Sequence, residues 1–417
     1  MEISRFNCTL CLMIALSAAS GISAADTADP TPFRAVTPLN FDAGGAVSRQ
    51  FHLHAESYLE TATIARTGPP HNLEMRTSAK LAGFPVSHRD GRSSFEEYVG
   101  SDALLDSAIV LHDGNIVFEA YPAMEPWQRH FAWSVSKIFA AAALAALVDQ
   151  GDIDLERTVG EYVSQLRDSA WNDSSVRDVA NMASGIDCLD DDGYQDNTTC
   201  IYRMEEALDI TAPAGYEAGF LQHLQSMQRR GEPGLRYEYV SANTNVLMLL
   251  VEAATGKPYA VAIRELIWDR LGPEADAILA INDEGHAYAS GGLLLRLRDL
   301  ARFGEVFIRP TEFGVFGVDR VREMRNSGPL LDAELKSELT DTFGADLPIR
   351  ASWQWDRIWA DGGMFKSGYL GQGLYVDPDR QLVIAWFGTG LDFNEQTNDM
   401  TSISRQLATS GLFDAGQ

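Results

Sequence analysis

The stretch that most constrains this chain is Ser134-Val135-Ser136-Lys137 together with the apolar run over 138–147 that follows it. Alanine and leucine dominate that run, which predicts a helix, and Gly151 stands just past Asp149-Gln150 where a C′ glycine belongs. Residues three apart on a helix share a face, so the Ser134 hydroxyl and the Lys137 amine are expected side by side. A lysine kept neutral by partial burial can activate a serine without any histidine. The start of a helix also aims backbone N–H groups at whatever such a serine attacks. By itself an S-x-x-K match is a weak signal, because short motifs recur by chance; the surrounding chain has to support it.

At 417 residues with 45% hydrophobic content, the sequence is long enough to bury a large core, as one domain or two intertwined lobes. A net charge of -26 argues against nucleic acid or an anionic membrane as partner, since both require basic patches. The acidity is spread out; Asp190-Asp191-Asp192 is the tight cluster and reads as a solvated loop, with no regular calcium-loop pattern around it.

Residues 1–24 read as an export signal: Arg5, an apolar stretch around Leu10 to Leu16, then small residues up to Ala24-Ala25. The apolar stretch is too short for an ordinary transmembrane helix. A periplasmic or secreted protein with no membrane span after signal cleavage is expected. Cys8 and Cys11 leave with the signal, so the remaining pair, Cys188 and Cys200, is expected either to close a loop disulfide or to stay as two thiols; the compartment favours the bridge. Neither cysteine has zinc-knuckle spacing, and no metal or organic cofactor is implied.

Prolines 30, 32, 38, 69 and 70 punctuate the segment up to about residue 100, which reads as irregular. A hairpin follows at 108–112 and 115–119 around Asp113-Gly114. The region 152–300 reads as mainly helical, with candidates at 175–183, 243–255 and 259–271; strands return at 374–387 and a helix closes the chain at 394–411. Strands from both ends around a helical middle suggest an α/β domain with an inserted helical lobe. The expected division is a signal at 1–24, an N-terminal extension at 25–100 packing on the core, and a main domain at 101–417 with its lobe at about 150–300.

Two further segments carry chemistry. Tyr237-Glu238-Tyr239-Val240-Ser241 precedes an apolar helix; Tyr239 can shuttle a proton if nearby ammonium groups lower its pKa, while Ser241 reads equally as an N-cap and both tyrosines as core aromatics. Lys366-Ser367-Gly368-Tyr369 precedes Gly371-Gln372-Gly373 and a strand. A lysine there can bind a substrate carboxylate or hold a nearby phenol ionised, and the plain alternative is a surface lysine in a glycine-rich turn.

These three segments, in this order, resemble the serine β-lactamase and penicillin-binding protein superfamily, whose signature set is S-x-x-K, a Ser or Tyr element and K-T-G. The resemblance is to the class C-like branch that includes the 6-aminohexanoate-dimer hydrolases and family VIII carboxylesterases. Arg129 to Trp133, Val179 to Asp187, Ser290-Gly291-Gly292-Leu293 and Asp299 to Gly304 add to it, so that it covers about 100–410. It implies a β-lactamase-like fold, α/β (α+β), with an antiparallel sheet built from both chain ends. It also implies an acylated Ser134, Lys137 taking its proton, and Tyr239 relaying a proton to the leaving group. The N–H groups of Ser134 and Tyr369 would form the oxyanion hole, with Lys366, Ser241 and, on a looser match, Tyr194 contacting substrate.

Tyr-x-Ser in place of Tyr-x-Asn disfavours an efficient cephalosporinase, whereas the retained Lys366 pulls the other way. Neither a G-x-S-x-G elbow nor an H-E-x-x-H pair is present. The expected function is therefore an exported serine hydrolase acting on a small ester or amide. The alternatives are a β-lactamase or D-amino-acid peptidase, or a non-catalytic protein that binds peptidoglycan or lactams. Oligomeric state is not legible in the sequence.

Overall fold

The computed structural model describes residues 31–391 and 397–414. The expected signal at 1–24, and the first residues of the closing helix expected from 394, lie outside the described residues.

Seven antiparallel strands form the central sheet: β1 (Leu105–His112), β2 (Asn115–Ala120), β3 (Arg350–Ser352), β4 (Trp355–Ile358), β5 (Met364–Gly368), β6 (Gln372–Asp377) and β7 (Leu382–Gly388). Their order across the sheet is β2-β1-β7-β6-β5-β4-β3, so strands from the two ends of the chain meet where β7 pairs with β1. The stretch over 374–387 is two strands turned at Pro378-Asp379, and both faces of β7 are covered. Val383, Ala385 and Phe387 join the core that holds helix α4 (Leu297–Ile308). Leu382, Ile384 and Trp386 join the opposite core with α5 (Met400–Ala408). A strand buried on both faces has no polar positions to alternate with, which is why it reads as one apolar run.

Helix α2 (Lys137–Gln150) is buried from Lys137 to Leu147, and Gly151 ends it with φ 83°. A helix apolar all round has no solvent face, and this one lies against α3 (Ser241–Thr255), itself buried over its first three turns. A second sheet orders Thr61–Ile64, Ala277–Ala280, Leu293–Leu295 and His130–Phe131, the last running straight into the Ser134 turn.

Two expectations are corrected. The segment before residue 100 is not irregular: it holds α1 (Gly45–His54), the strand Thr61–Ile64 and the capped helix Phe95–Ser101. In α1 the sequence Arg-Gln-Phe-His-Leu-His buries only Phe51 and His52 with Ser48, too thin a stripe to show as apolar periodicity. The helix over 175–183 shrinks to Val176–Ala180. Between 150 and 300 the helices also enclose two short strands, Ala277–Ala280 and Leu293–Leu295, which join the second sheet. Among the described residues no single helix is long and apolar enough to cross a membrane.

Candidate active site

Ser134 does not sit on α2 itself but on the single 3-10 turn Trp133–Ser136 that leads into it. The turn is tied to the second sheet by the Ser136 hydroxyl, which accepts from the Leu293 N–H at 3.1 Å. Trp133 just before Ser134 adopts φ 47°, a left-handed conformation that costs a bulky residue about 1–2 kcal/mol. Lys137 is 1% exposed, and its Nζ lies 2.9 Å from Ser134 Oγ and 2.7 Å from the Ser290 carbonyl oxygen. Burial brings the Lys137 amine down to about 7 against the pull of Asp190. Close to neutrality it therefore exists partly as the free amine. One N–H then donates to Ser290, and the lone pair faces the Ser134 hydroxyl.

Tyr239 stands between two amines, with Lys137 Nζ 5.2 Å and Lys366 Nζ 4.8 Å from its ring centroid. Its hydroxyl accepts from Lys366 Nζ at 3.0 Å. The expected lowering of its pKa does not occur. Burial, then the Asp356 and Asp190 carboxylates, push the phenol well above its ordinary value, and the Ser134 hydroxyl bonded to it pulls back only in part. Tyr239 is thus a phenol, a proton donor, at neutral pH.

Lys366 is no surface residue: it is fully buried on β5 and bound to both Asp356 oxygens at 2.7 and 2.8 Å. Burial alone would raise the Asp356 carboxyl, but Lys366, Arg357 and Ser367 hold it below the usual carboxylate range. The lysine charge is therefore spent inside the protein, which removes both expected roles, gripping a substrate carboxylate and ionising Tyr239. The Ser367 N–H and hydroxyl donate to the same carboxylate at 2.8 and 2.6 Å. Gly368 at the end of β5 lets the strand and the Ser134 turn touch, since a Cβ there would lie 2.7 Å from the Ala132 carbonyl oxygen. Tyr369 follows at the mouth, its ring edge-on to Trp133 at 5.4 Å.

Asp190 is the second centre of the site, and sequence reasoning took it for a solvated loop residue. It is 7% exposed. It accepts from the Ser241 N–H at 2.7 Å, from the Ser241 hydroxyl at 2.6 Å and from the Tyr194 hydroxyl. Ser241 is accordingly not the N-cap of α3; Val240 holds that position, and Asp190 supplies the capping oxygen from another segment. Ser241 and Tyr194 are brought to the site, yet both hydroxyls donate to Asp190, which leaves their oxygens to accept. Cys188 and Cys200 are joined, with Cα atoms 5.1 Å apart, and their bridge closes the loop that carries Asp190 and Tyr194. Behind it, the Tyr288 hydroxyl donates to Glu205 at 2.6 Å, and burial lifts that carboxyl to about 8.

Besides Asp190, sequence reasoning missed Asp356 and the Ser290 carbonyl. Asp356 sits in Trp-Gln-Trp-Asp-Arg, which matches no motif; Ser290 lies in the Ser-Gly-Gly-Leu stretch, where the signal was present but no role was read from it. Among the described residues two groups have metal-ligand geometry, Cys188 with Cys200 and His223, and His52 with Asp106 and His130. The first has its sulfurs in the disulfide, and in the second Asp106 is bound to His130 while both His52 nitrogens are taken up by Trp133 and Thr389.

Comparison with known proteins shows the family. The family model described as Beta-lactamase matches residues 94–408. The 6-aminohexanoate-dimer hydrolase of Paenarthrobacter ureafaciens is 30% identical over 340 residues, 76% of this chain and 84% of that one. Among solved structures, a Bacillus anthracis protein provisionally titled a 6-aminohexanoate-dimer hydrolase superposes with TM-score 0.75 at 21% identity, over 90% of this chain and 96% of that one. EstCE1, titled a hydrolase with promiscuous acyltransferase activity, does so with TM-score 0.56 at 14% identity, over 72% and 92%. The chain belongs to the beta-lactamase family of hydrolases and is a homologue of 6-aminohexanoate-dimer hydrolase.

Proposed function

We propose that the protein is an exported serine hydrolase that cleaves a small ester or linear amide through an acyl-enzyme on Ser134. The observation that carries this reading is the pair Ser134–Lys137, 2.9 Å apart, with a buried amine whose pKa lies at about 7. As the Ser134 oxygen attacks the carbonyl carbon, its proton passes to the Lys137 lone pair. The oxyanion meets the N–H groups of Ser134 and Tyr369. Tyr239, protonated and in contact with Ser134, gives its proton to the leaving alcohol or amine and is reprotonated from Lys137. Water then attacks the ester, with the same groups running in reverse. The substrate class takes support from two similar proteins, one a 6-aminohexanoate-dimer hydrolase and one a hydrolase with promiscuous acyltransferase activity. Export is supported by the N-terminal segment and by the disulfide, a bond that persists in oxidising compartments.

A turnover panel of p-nitrophenyl esters, nitrocefin and short linear amides tests the reading, run on the wild type, Ser134→Ala and Lys137→Ala. Turnover of an ester or linear amide is expected to exceed that of nitrocefin. Each single variant should lose several orders of magnitude, and the double variant should be hardly worse than either, because members of a catalytic unit fail together. Substantial activity in Ser134→Ala contradicts the assignment.

A further inference from the structure

The Ser134 turn is tied to a hydrogen-bond chain that passes through His52 in the N-terminal segment, outside the residues 94–408 that match the family model. The Trp133 indole N–H donates to His52 Nε2 at 2.8 Å. That nitrogen must then carry its lone pair, so the ring proton is on Nδ1, which faces Thr389 Oγ1 at 3.2 Å. Thr389 has one hydroxyl proton, and it points to Asp106 Oδ2 at 2.5 Å. Asp106 also accepts from His130 Nε2 at 3.0 Å and from Arg49 Nε at 2.6 Å. His52, Asp106 and His130 are fully buried, and Thr389 is 1% exposed. Along Trp133, His52, Thr389 and Asp106 the donors all point one way, toward the carboxylate.

The direction is fixed by charge. Burial alone would raise the Asp106 carboxyl, but His130, Arg49 and Thr389 hold it below the usual range, so it can only accept. Burial, then His130 and Arg49, push the His52 ring well below its ordinary value, so it stays neutral and keeps an acceptor nitrogen. At the other end, Trp133 holds a positive φ beside the nucleophile, and its ring meets Tyr369 edge-on. Rotation of the indole would disturb both the Ser134 turn and the end of β5.

We propose that His52 is a positioning residue for the nucleophile, holding the Trp133 indole through Nε2 while Thr389 and Asp106 fix the tautomer that lets it accept. The proposal rests on the reading of Ser134 as the acylated residue. Without the Thr389 hydroxyl, His52 is free to carry its proton on Nε2, where it would confront the Trp133 N–H donor to donor. His52 thereby stands to Trp133 as an oriented acceptor, with a carboxylate two hydrogen bonds away as its orienter.

The test compares Thr389→Val with Thr389→Ser by the rate at which a fluorophosphonate labels Ser134, alongside kcat and KM on a p-nitrophenyl ester. Valine keeps the threonine shape and loses the hydroxyl; serine keeps the hydroxyl and loses a methyl. Positioning predicts that Thr389→Val labels at least about tenfold more slowly than Thr389→Ser, with kcat falling in step and KM little changed. A purely packing role predicts the opposite order, and equal rates or a faster Thr389→Val overturn the proposal. If Thr389→Val does not fold, His52→Gln and His52→Leu replace the pair. Glutamine offers Trp133 an amide oxygen and should keep the larger rate, whereas equal rates again overturn it. Ser134→Ala is run beside them. Undiminished turnover in that variant removes the acyl-enzyme reading, whereas an inactive Ser134→Ala with the packing order removes the His52 proposal alone.

Discussion

An ammonium at the position of Lys137 has given up its hydration for two neutral oxygens, those of Ser134 and Ser290, and among the described residues no carboxylate touches it. Loss of hydration without a direct counter-charge favours the neutral amine, and the same burial that makes Lys137 a poor cation makes it a usable base. On the proposed mechanism the free amine is the active form, so activity should fall as pH drops through about 7, where the amine takes up a proton. The kcat/KM profile on an uncharged p-nitrophenyl ester should show an acidic limb with its midpoint near that value; a profile flat down to pH 5 contradicts the assignment of the base. Lys366 is the contrasting case, since it touches both oxygens of Asp356. Lys366→Met leaves that carboxylate buried and unpaired, at a cost of about 3–5 kcal/mol. The double variant Lys366→Met, Asp356→Leu should regain most of the stability in urea unfolding but little of the activity, because Tyr239 has still lost its partner. Stability equal in the single and double variants would contradict the ion pair. Ser134, Lys137, Tyr239 and Lys366 were legible because each lies in a short motif. Asp190 and Asp356 reach the site from segments 51 and 10 residues away from the groups they bind, with no local pattern to announce them.

At the scale of elements, the loop from Cys188 to Cys200 is the part most exposed to loss. Its Asp190 caps α3 and holds Tyr194, yet the short 3-10 turn Asp190–Asp192 is the element it contributes, and Asp191 and Asp192 are exposed. The bridge spans 12 residues, and a loop of that size is stabilised by about 3 kcal/mol on chain-entropy grounds. Cys188→Ser with Cys200→Ser should lower the urea midpoint accordingly and reduce kcat/KM as Asp190 loosens; an unchanged midpoint and rate would show that the loop is held by its hydrogen bonds alone. The hairpin of β1 and β2 was readable because Asp113-Gly114 sits between apolar strands, and the two residues adopt φ 48° and 72°. The one-turn displacement of Ser134 from α2 was not readable. The S-x-x-K spacing brings the two side chains together on a 3-10 turn running into a helix as well as on the helix itself, so the pattern cannot tell them apart. Helix α1 escaped notice because its buried stripe includes a histidine and a serine.

Taken whole, the molecule places its reacting groups where three bodies meet: the buried helix α2, the start of α3 with the Cys188–Cys200 loop, and the end of β5. The sheet is closed from both chain ends and covered on both faces, so the Lys366 strand cannot shift relative to Ser134 without disturbing two cores. Rigid elements of this kind hold a nucleophile and its base within reach better than loops do. The N-terminal segment belongs to the same unit, as Phe41 stacks on Trp133 at 5.9 Å and Phe51 lies against Phe131 at 5.1 Å. The most direct test of the acyl-enzyme is the intact mass of the protein after brief exposure to a p-nitrophenyl ester and acid quench. The mass should rise by one acyl group, the modified peptide should map to Ser134, and Ser134→Ala should gain nothing. An acyl group found on another residue, or the same gain in Ser134→Ala, contradicts the account.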